Sequence, residues 1–190
     1  MIEFIKGRLT EKNPAYVVIE ANGIGYLLHI SLNTFSQIGK DENVSLYTHQ
    51  VIREDAHLLF GFSTKEERSV FRSLLSVSGV GASTARMVLS SLGPDEVQQA
   101  IAMSNVSAFQ KIKGIGAKTA QRIIVDLSGK IEKIELAGNQ PGGVLRQEAL
   151  GAMVTLGFDK AQAEKAVDKV LATDNNLPVE QLIKLALKNL

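Results

Sequence analysis

An internal repeat limits the folds open to this chain more than anything in its composition. Residues 74–85 read Leu-Leu-Ser-Val-Ser-Gly-Val-Gly-Ala-Ser-Thr-Ala, and residues 109–120 read Phe-Gln-Lys-Ile-Lys-Gly-Ile-Gly-Ala-Lys-Thr-Ala. Over 71–92 against 106–127, 6 of 22 positions are identical, including both glycines of each Gly-apolar-Gly, so the two segments should share one backbone path. The flanking period is helical, which makes each copy a helix, a Gly-apolar-Gly hairpin and a second helix. The glycines permit a tight turn whose backbone can approach a ligand closely. The apolar residue between them, Val80 or Ile115, plugs the turn into the core. The following helix then starts with free N–H groups at its positive end, an anion site suited to phosphate. Nothing in the pattern reads a base edge, so binding of this kind is independent of nucleotide sequence.

The pattern resembles the helix-hairpin-helix family of DNA-binding units. One copy is a weak indication; two copies inside a basic region are a strong one. Residues 63–133 carry 10 Lys and Arg against 6 Asp and Glu, while residues 1–62 and 134–190 are mildly acidic. The net charge of +1 for the whole chain conceals this division. In the second copy Lys118 follows the hairpin, Arg122 stands one helical turn later, and Lys111 and Lys113 precede it. In the first copy Ser83 and Thr84 stand at the places of Lys118 and Thr119, with Arg86 further along. The first hairpin is therefore expected to bind through backbone N–H groups and hydroxyls, and more weakly. The candidate DNA-binding residues are Gly79, Val80, Gly81, Ser83, Thr84, Gly114, Ile115, Gly116, Lys118, Thr119 and Arg122. An ATP-binding loop is excluded. With Lys118 as its lysine that motif needs glycines at 112 and 117, where Ile112 and Ala117 stand, and it follows a strand rather than a helix.

The fold class expected is multidomain α+β. Residues 1–62 read as five strands with one short helix over Ser31–Ile38, an OB-fold barrel. Asn22-Gly23 marks a hairpin, and Arg53-Glu54-Asp55-Ala56 forms a charged tip between the last two strands. Residues 63–133 read as about five short helices, the first opened by a Ser63-Thr64-Lys65-Glu66 capping box and another by Gly93-Pro94-Asp95-Glu96. Residues 134–143 hold Gly138, Pro141, Gly142 and Gly143 and read as a flexible linker. Residues 144–190 read as three short helices. Their apolar positions include Leu145, Leu150, Met153 and Leu156, then Ala163, Val167 and Leu171, then Leu182, Ile183 and Leu185. The Leu156-Gly157-Phe158 corner resembles the ubiquitin-associated type of bundle.

Zero cysteines exclude disulfides, thiol catalysis and cysteine zinc sites. No apolar run approaches the roughly 20 residues needed to span a bilayer, and the Met1-Ile2-Glu3 start does not suit a signal peptide. A cytoplasmic protein with no membrane association is expected. The carboxylates of Glu54 and Asp55 could bind metal, act as acid and base, or be solvated. His49 and His57 flank them as packing or surface residues, and no metal site and no catalytic residue is assigned. A helix-hairpin-helix glycosylase or nuclease is the alternative reading. A glycosylase needs a larger helical domain around a base-flipping pocket, and Asp126 is adequately explained as a helical surface residue.

Over its full length the chain is similar to the RuvA family, the Holliday-junction-binding subunits of the bacterial branch-migration machinery. The resemblance rests on Gly23-Ile24-Gly25-Tyr26, on the run from Arg53-Glu54-Asp55-Ala56 through Leu58-Leu59-Phe60-Gly61-Phe62, on both hairpins, and on the linker and terminal module. It implies a four-fold homotetramer, or two face to face as an octamer, that holds an open four-way junction. It makes Glu54 and Asp55 the acidic pin near the crossover. It gives the last domain contact with the hexameric ATPase RuvB and places the protein in a larger complex with the RuvC resolvase. No cofactor and no catalytic role of its own are implied. Two positions depart from the family pattern: Ala117, where a second basic residue can stand beside Lys118, and Ser83, where the first hairpin can carry a lysine. The linker is also short.

Overall fold

The computed structural model describes residues 1–39, 41–138, 143–172 and 177–189. Its contacts divide the chain into two units, Met1–Gly129 and Lys130–Leu190.

The first unit opens with a closed five-stranded barrel. Its strands are β1 (Phe4–Asn13), β2 (Tyr16–Ala21), β3 (Ile24–His29), β4 (Asn43–Arg53) and β5 (Ala56–Phe62), in the order β1-β2-β3-β5-β4. All pairings are antiparallel except β3 with β5, which closes the barrel through Leu28↔Leu59 and His29↔Phe60. This is the OB-like arrangement expected. Alternate residues turn inward, so Ile5, Val17, Ile19, Leu28 and Leu46 fill the interior with Ile30 and Ile38. Asn22 and Gly23 both take positive φ, 53° and 82°, as a two-residue hairpin turn requires. Gly7 is forced by packing, since a Cβ there would lie 2.1 Å from the Glu20 carbonyl oxygen. Helix α1 (Leu32–Gln37) is capped by the Ser31 hydroxyl, which accepts from the Thr34 amide.

Five helices follow: α2 (Lys65–Leu75), α3 (Ala82–Ser91), α4 (Pro94–Ala102), α5 (Val106–Gln110) and α6 (Ala117–Gly138). The cap of α2 lies one residue beyond the expected box. Thr64 is the N-cap and accepts from the Glu67 amide at 3.1 Å, while the Ser63 hydroxyl donates to Gln37 Oε1 at 2.7 Å. This register turns Glu67, not Glu66, inward. The Glu67 carboxylate is fully buried and accepts from the buried hydroxyls of Ser31 and Thr34, with the half-buried Ser63 Oγ 3.2 Å away. Its neighbour Arg68 reaches the other way, pairing with Glu3 and donating to the carbonyls of Glu3 and Thr48. Between these two anchors Phe71 is fully buried, with ring centroids 5.1 Å from Phe60 and 4.9 Å from Phe62. Helix α2 is thereby fixed to the barrel by a carboxylate, an aromatic plug and a guanidinium. At Gly93 the start of α4 is as expected: Pro94 is the first helical residue and the Glu96 carboxylate accepts from the Gly93 amide at 2.7 Å.

Helix α6 continues through 134–138, which the sequence reading assigned to the linker. Ile134-Glu135-Leu136-Ala137 contains no helix breaker, and the first glycine is Gly138 itself. The rest of the linker, 139–142 with Pro141 and Gly142, lies outside the described residues.

In the second unit α7 (Gly143–Thr155), α8 (Lys160–Leu171) and α9 (Val179–Leu187) enclose Ala149, Leu150, Met153, Ala163, Ala166, Val167, Leu171, Leu182 and Ala186. Two residues expected among the packed apolar positions stand outside. Leu156 is 65% exposed and Leu185 is 39% exposed. Leu156 lies past the last turn of α7, where Gly157 (φ 96°) ends the helix and the Phe158 amide bonds back to the Met153 carbonyl. Asp159 then caps α8 by accepting from the amides of Ala161 and Gln162.

Candidate nucleic-acid interface

The two hairpins are conformational copies. Gly79 and Gly114 each have φ of +89°, a left-handed value open to glycine at little cost. The Val80 amide donates to the Val77 carbonyl at 3.0 Å, and the Ile115 amide to the Ile112 carbonyl at 3.1 Å. The first helical bonds match too, Ala85 to Gly81 and Ala120 to Gly116, both at 2.9 Å. Equivalent side chains are buried in pairs: Leu74 and Phe109, Val77 and Ile112, Val80 and Ile115, Ala85 and Ala120, Val88 and Ile123, Leu89 and Ile124. The repeat is therefore a repeat of core as well as of turn.

The second glycine of each hairpin has no steric reason inside the protein. Gly81 has φ of −88°, which any residue can adopt. A Cβ at Gly81, Gly114 or Gly116 would meet nothing within 4 Å. Gly81 caps α3 without a side-chain bond, leaving the first-turn amides of Ala82, Ser83 and Thr84 open to an outside acceptor. The surface is thus shaped for close approach by something not of this chain. Val80 and Ile115 do not belong to it by their side chains, which are 6% and 5% exposed. Their amides are also taken within the turn, so they position the hairpins.

Lys111, Lys113, Lys118 and Arg122 are exposed. Lys118 makes no hydrogen bond or ion pair among the described residues, whereas Arg122 Nη1 donates to the Ser78 carbonyl of the other hairpin at 3.0 Å. Ser83 is exposed and lines an apolar cleft together with Pro14, Ala15, Ile30, Leu32, Arg86 and Met87. Arg86 is not part of the hairpin surface. It donates to the Ala15 carbonyl at 2.9 Å and holds α3 to the β1–β2 turn.

The acidic tip is a separate element. β4 and β5 stay paired to Arg53↔Ala56, and Glu54 and Asp55 form the two-residue turn beyond it. Both are exposed. Arg53 Nε lies 3.3 Å from Asp55 Oδ1, while Glu54 makes no ion pair among the described residues. Of the flanking histidines, His49 is engaged with α2 rather than with the tip. His49 packs edge-on against Phe71 and accepts from Arg72 Nε at 3.4 Å. Burial and the nearby Arg72 and Arg68 charges push its pKa down. Among the described residues no three His, Cys, Asp or Glu side chains gather as a metal set.

Sequence reasoning missed the contacts of Glu67, Arg68, Arg86 and the Arg122 bridge. Each is a long-range contact of a residue type common on helix surfaces, and no local pattern announces it. Gly7 inside a strand is the one missed feature with a readable sign.

An OB-like barrel carrying tandem helix-hairpin-helix units, with open helix starts and exposed lysines on one of them, defines a DNA-binding protein. Family models agree element by element: "RuvA N terminal domain" matches residues 1–61, "SAM-like Helix-hairpin-helix tandem" matches 71–128, and "RuvA, C-terminal domain" matches 144–190. Relatives named "Holliday junction branch migration complex subunit RuvA" align over the whole of both chains. The protein of Christiangramia forsetii is 54% identical, that of Parabacteroides distasonis 52%, and that of Bacteroides fragilis 46%. The chain belongs to the RuvA family.

Proposed function

We propose that this protein binds four-way junction DNA by shape rather than sequence, holds it open, and acts as a non-catalytic subunit of an ATP-driven branch-migration complex. The single observation that carries the reading is the pair of matched hairpins, each offering an open helix start beside a glycine that only an outside partner requires. Two such sites in one rigid unit suit two phosphate runs across a minor groove.

Glu54 and Asp55 act by repulsion. Negative charge beside phosphate is unfavourable, so a tip of this kind penalises a duplex running straight past it and favours strands that part around it. That geometry needs several copies around one crossover, which the homotetramer supplies. Ile24, Leu27, Leu32, Ile52 and Met87 are large, apolar and exposed on the first unit, as self-association would use. The four-part division, 1–62, 63–133, 134–143 and 144–190, assigns the barrel with its pin, the DNA-binding helices, a tether and the module that engages the RuvB motor. RuvC joins in the larger assembly, in the cytoplasm.

The test is a competition gel shift with labelled four-way junction, excess linear duplex of the same sequences, moderate salt and Mg²⁺. The junction complex should survive. Equal competition by duplex would reduce the protein to a generic DNA binder and remove the role of the acidic tip.

A further inference from the structure

We propose that Arg122 is a positioning residue that sets the spacing between the two hairpins, apart from any charge it presents to DNA. The proposal rests on the phosphate-binding reading above. Arg122 stands in the second turn of α6, yet its Nη1 bonds 3.0 Å to the main-chain carbonyl of Ser78, 44 residues earlier in the other hairpin. The acceptor is the carbonyl immediately before Gly79. The left-handed φ of Gly79 turns the peptide there, and a Cβ on Gly79 would come to 4.0 Å from the same Nη1.

The logic is one of distance. Each hairpin is fixed internally by its own short bond, Val80 to Val77 or Ile115 to Ile112. Those bonds say nothing about how far apart the two anion sites lie. One duplex is gripped by both only if that separation holds, and residues 78 and 79 are exposed, with little packing of their own. The Arg122–Ser78 bond ties the second copy directly to the turn of the first. A guanidinium can do this and still face phosphate, because it carries five donors in a rigid fork. Lysine offers a point charge on a flexible stem and cannot hold both geometries. The position equivalent to Arg122 in the first copy is Met87, so the tie runs one way.

Arg122→Lys separates the two roles, because it keeps the charge and loses the fork. Binding of a short duplex and of a junction is measured by fluorescence anisotropy over a salt series. Arg8→Lys, the same exchange at an exposed arginine on β1 outside the hairpins, is the comparator. Arg8→Lys should stay within about threefold of the parent. Arg122→Lys should weaken binding at least about tenfold at fixed salt, and the salt slope should fall by more than the roughly 0.9 that one phosphate contact accounts for. Arg122→Lys binding within threefold of the parent, with an unchanged slope, overturns the proposal. Amide hydrogen exchange on the free protein gives a second readout. Arg122→Gln should speed exchange at residues 78–81 and leave the barrel unchanged, and unaltered exchange at those residues also overturns it. If the parent protein shows no preference for junctions, the functional reading fails, but the duplex arm and the exchange arm still decide the role of Arg122.

Discussion

Alanine at the second glycine of each hairpin isolates the close approach to DNA from the stability of the fold. A Cβ on Gly81 or Gly116 points into space with no protein atom within 4 Å, and Gly81 already has an ordinary φ. Gly→Ala gains about 0.4–1 kcal/mol through the unfolded chain, but Gly81 is the N-cap of α3, where Ala is poorer than Gly, so folding stability should change by less than about 1 kcal/mol. Binding should fall. A phosphate oxygen sits about 2.9 Å from the amide that holds it, and the new methyl occupies the approach. Losing one charge-assisted bond costs about 1.5–3 kcal/mol, or about ten- to a hundredfold in affinity. Gly79→Ala and Gly114→Ala are the contrast. Both lie at φ of +89°, so the same methyl costs about 1–2 kcal/mol of folding stability. Chemical unfolding and anisotropy on the four variants give a two-by-two result. Unimpaired junction binding by both Gly81→Ala and Gly116→Ala would refute the placement of DNA on the hairpins.

Other expectations follow from the same geometry. Lys118→Gln should weaken binding to all sequences alike and lower the salt slope by about 0.9; an unchanged slope removes Lys118 from the phosphate contacts. Glu54→Gln with Asp55→Asn should raise affinity for plain duplex relative to junction, and unchanged selectivity in the competition assay would sink the repulsion argument. Glu67→Ala strands the buried hydroxyls of Ser31 and Thr34; at about 1–3 kcal/mol for each unsatisfied group, a loss below 1 kcal/mol in urea unfolding would contradict the buried network. His29 and His49 have depressed pKa values from burial and from nearby arginines. The unfolded chain therefore takes up these protons first, and their contribution is full above the unfolded pKa of about 6.5 and declines as the pH falls toward the folded pKa. His49→Gln should flatten that acid-side decline, and a curve parallel to the parent's would assign it elsewhere.

The barrel and the hairpins were legible because both are written locally. The Asn22-Gly23 turn, the alternation along Tyr16–Ile19 and the repeated Gly-apolar-Gly each fix a backbone path within a few residues. What the sequence did not disclose is where long side chains go once those paths are set. Arg86 and Arg122 are both basic residues on the helix that follows a hairpin, and of the two only Arg122 reads as a phosphate contact. Arg86 is drawn to a barrel carbonyl and Arg122 to a hairpin carbonyl, because each lies within reach of an acceptor supplied from far along the chain. The α2 cap shifted for a similar reason. Thr64 and Ser63 are near-equal caps by local chemistry, and the register is decided by Glu67 finding the buried hydroxyls of Ser31 and Thr34. Leu156 and Leu185 fit an apolar period but fall where that period meets a helix end or an outer face.

The inequality of the two hairpins has a structural cause. In the first copy the helix after the turn, α3, is committed on one side to the barrel: Arg86 bonds Ala15, the Ser90 hydroxyl accepts from the Leu32 amide at 3.1 Å, and Met87 lines the cleft. A cation at Arg86 is spent on holding the domain together, and one at Met87 would crowd its interface. In the second copy the positions equivalent to Ser83 and Met87 are Lys118 and Arg122, both exposed. That copy is the one free to carry charge. Strength of grip and attachment to the barrel are thus divided between two halves of one repeat, and the Arg122–Ser78 bond is where the halves are rejoined. On this argument Ser83→Lys should add a phosphate contact without disturbing the barrel, because Ser83, although it lines the cleft, is exposed and a long side chain there can turn to solvent. The variant should bind junctions more tightly with a salt slope larger by about 0.9 and an unchanged unfolding midpoint. A lowered midpoint would mean that Ser83 belongs to the barrel contact, and the division of labour would have to be drawn elsewhere.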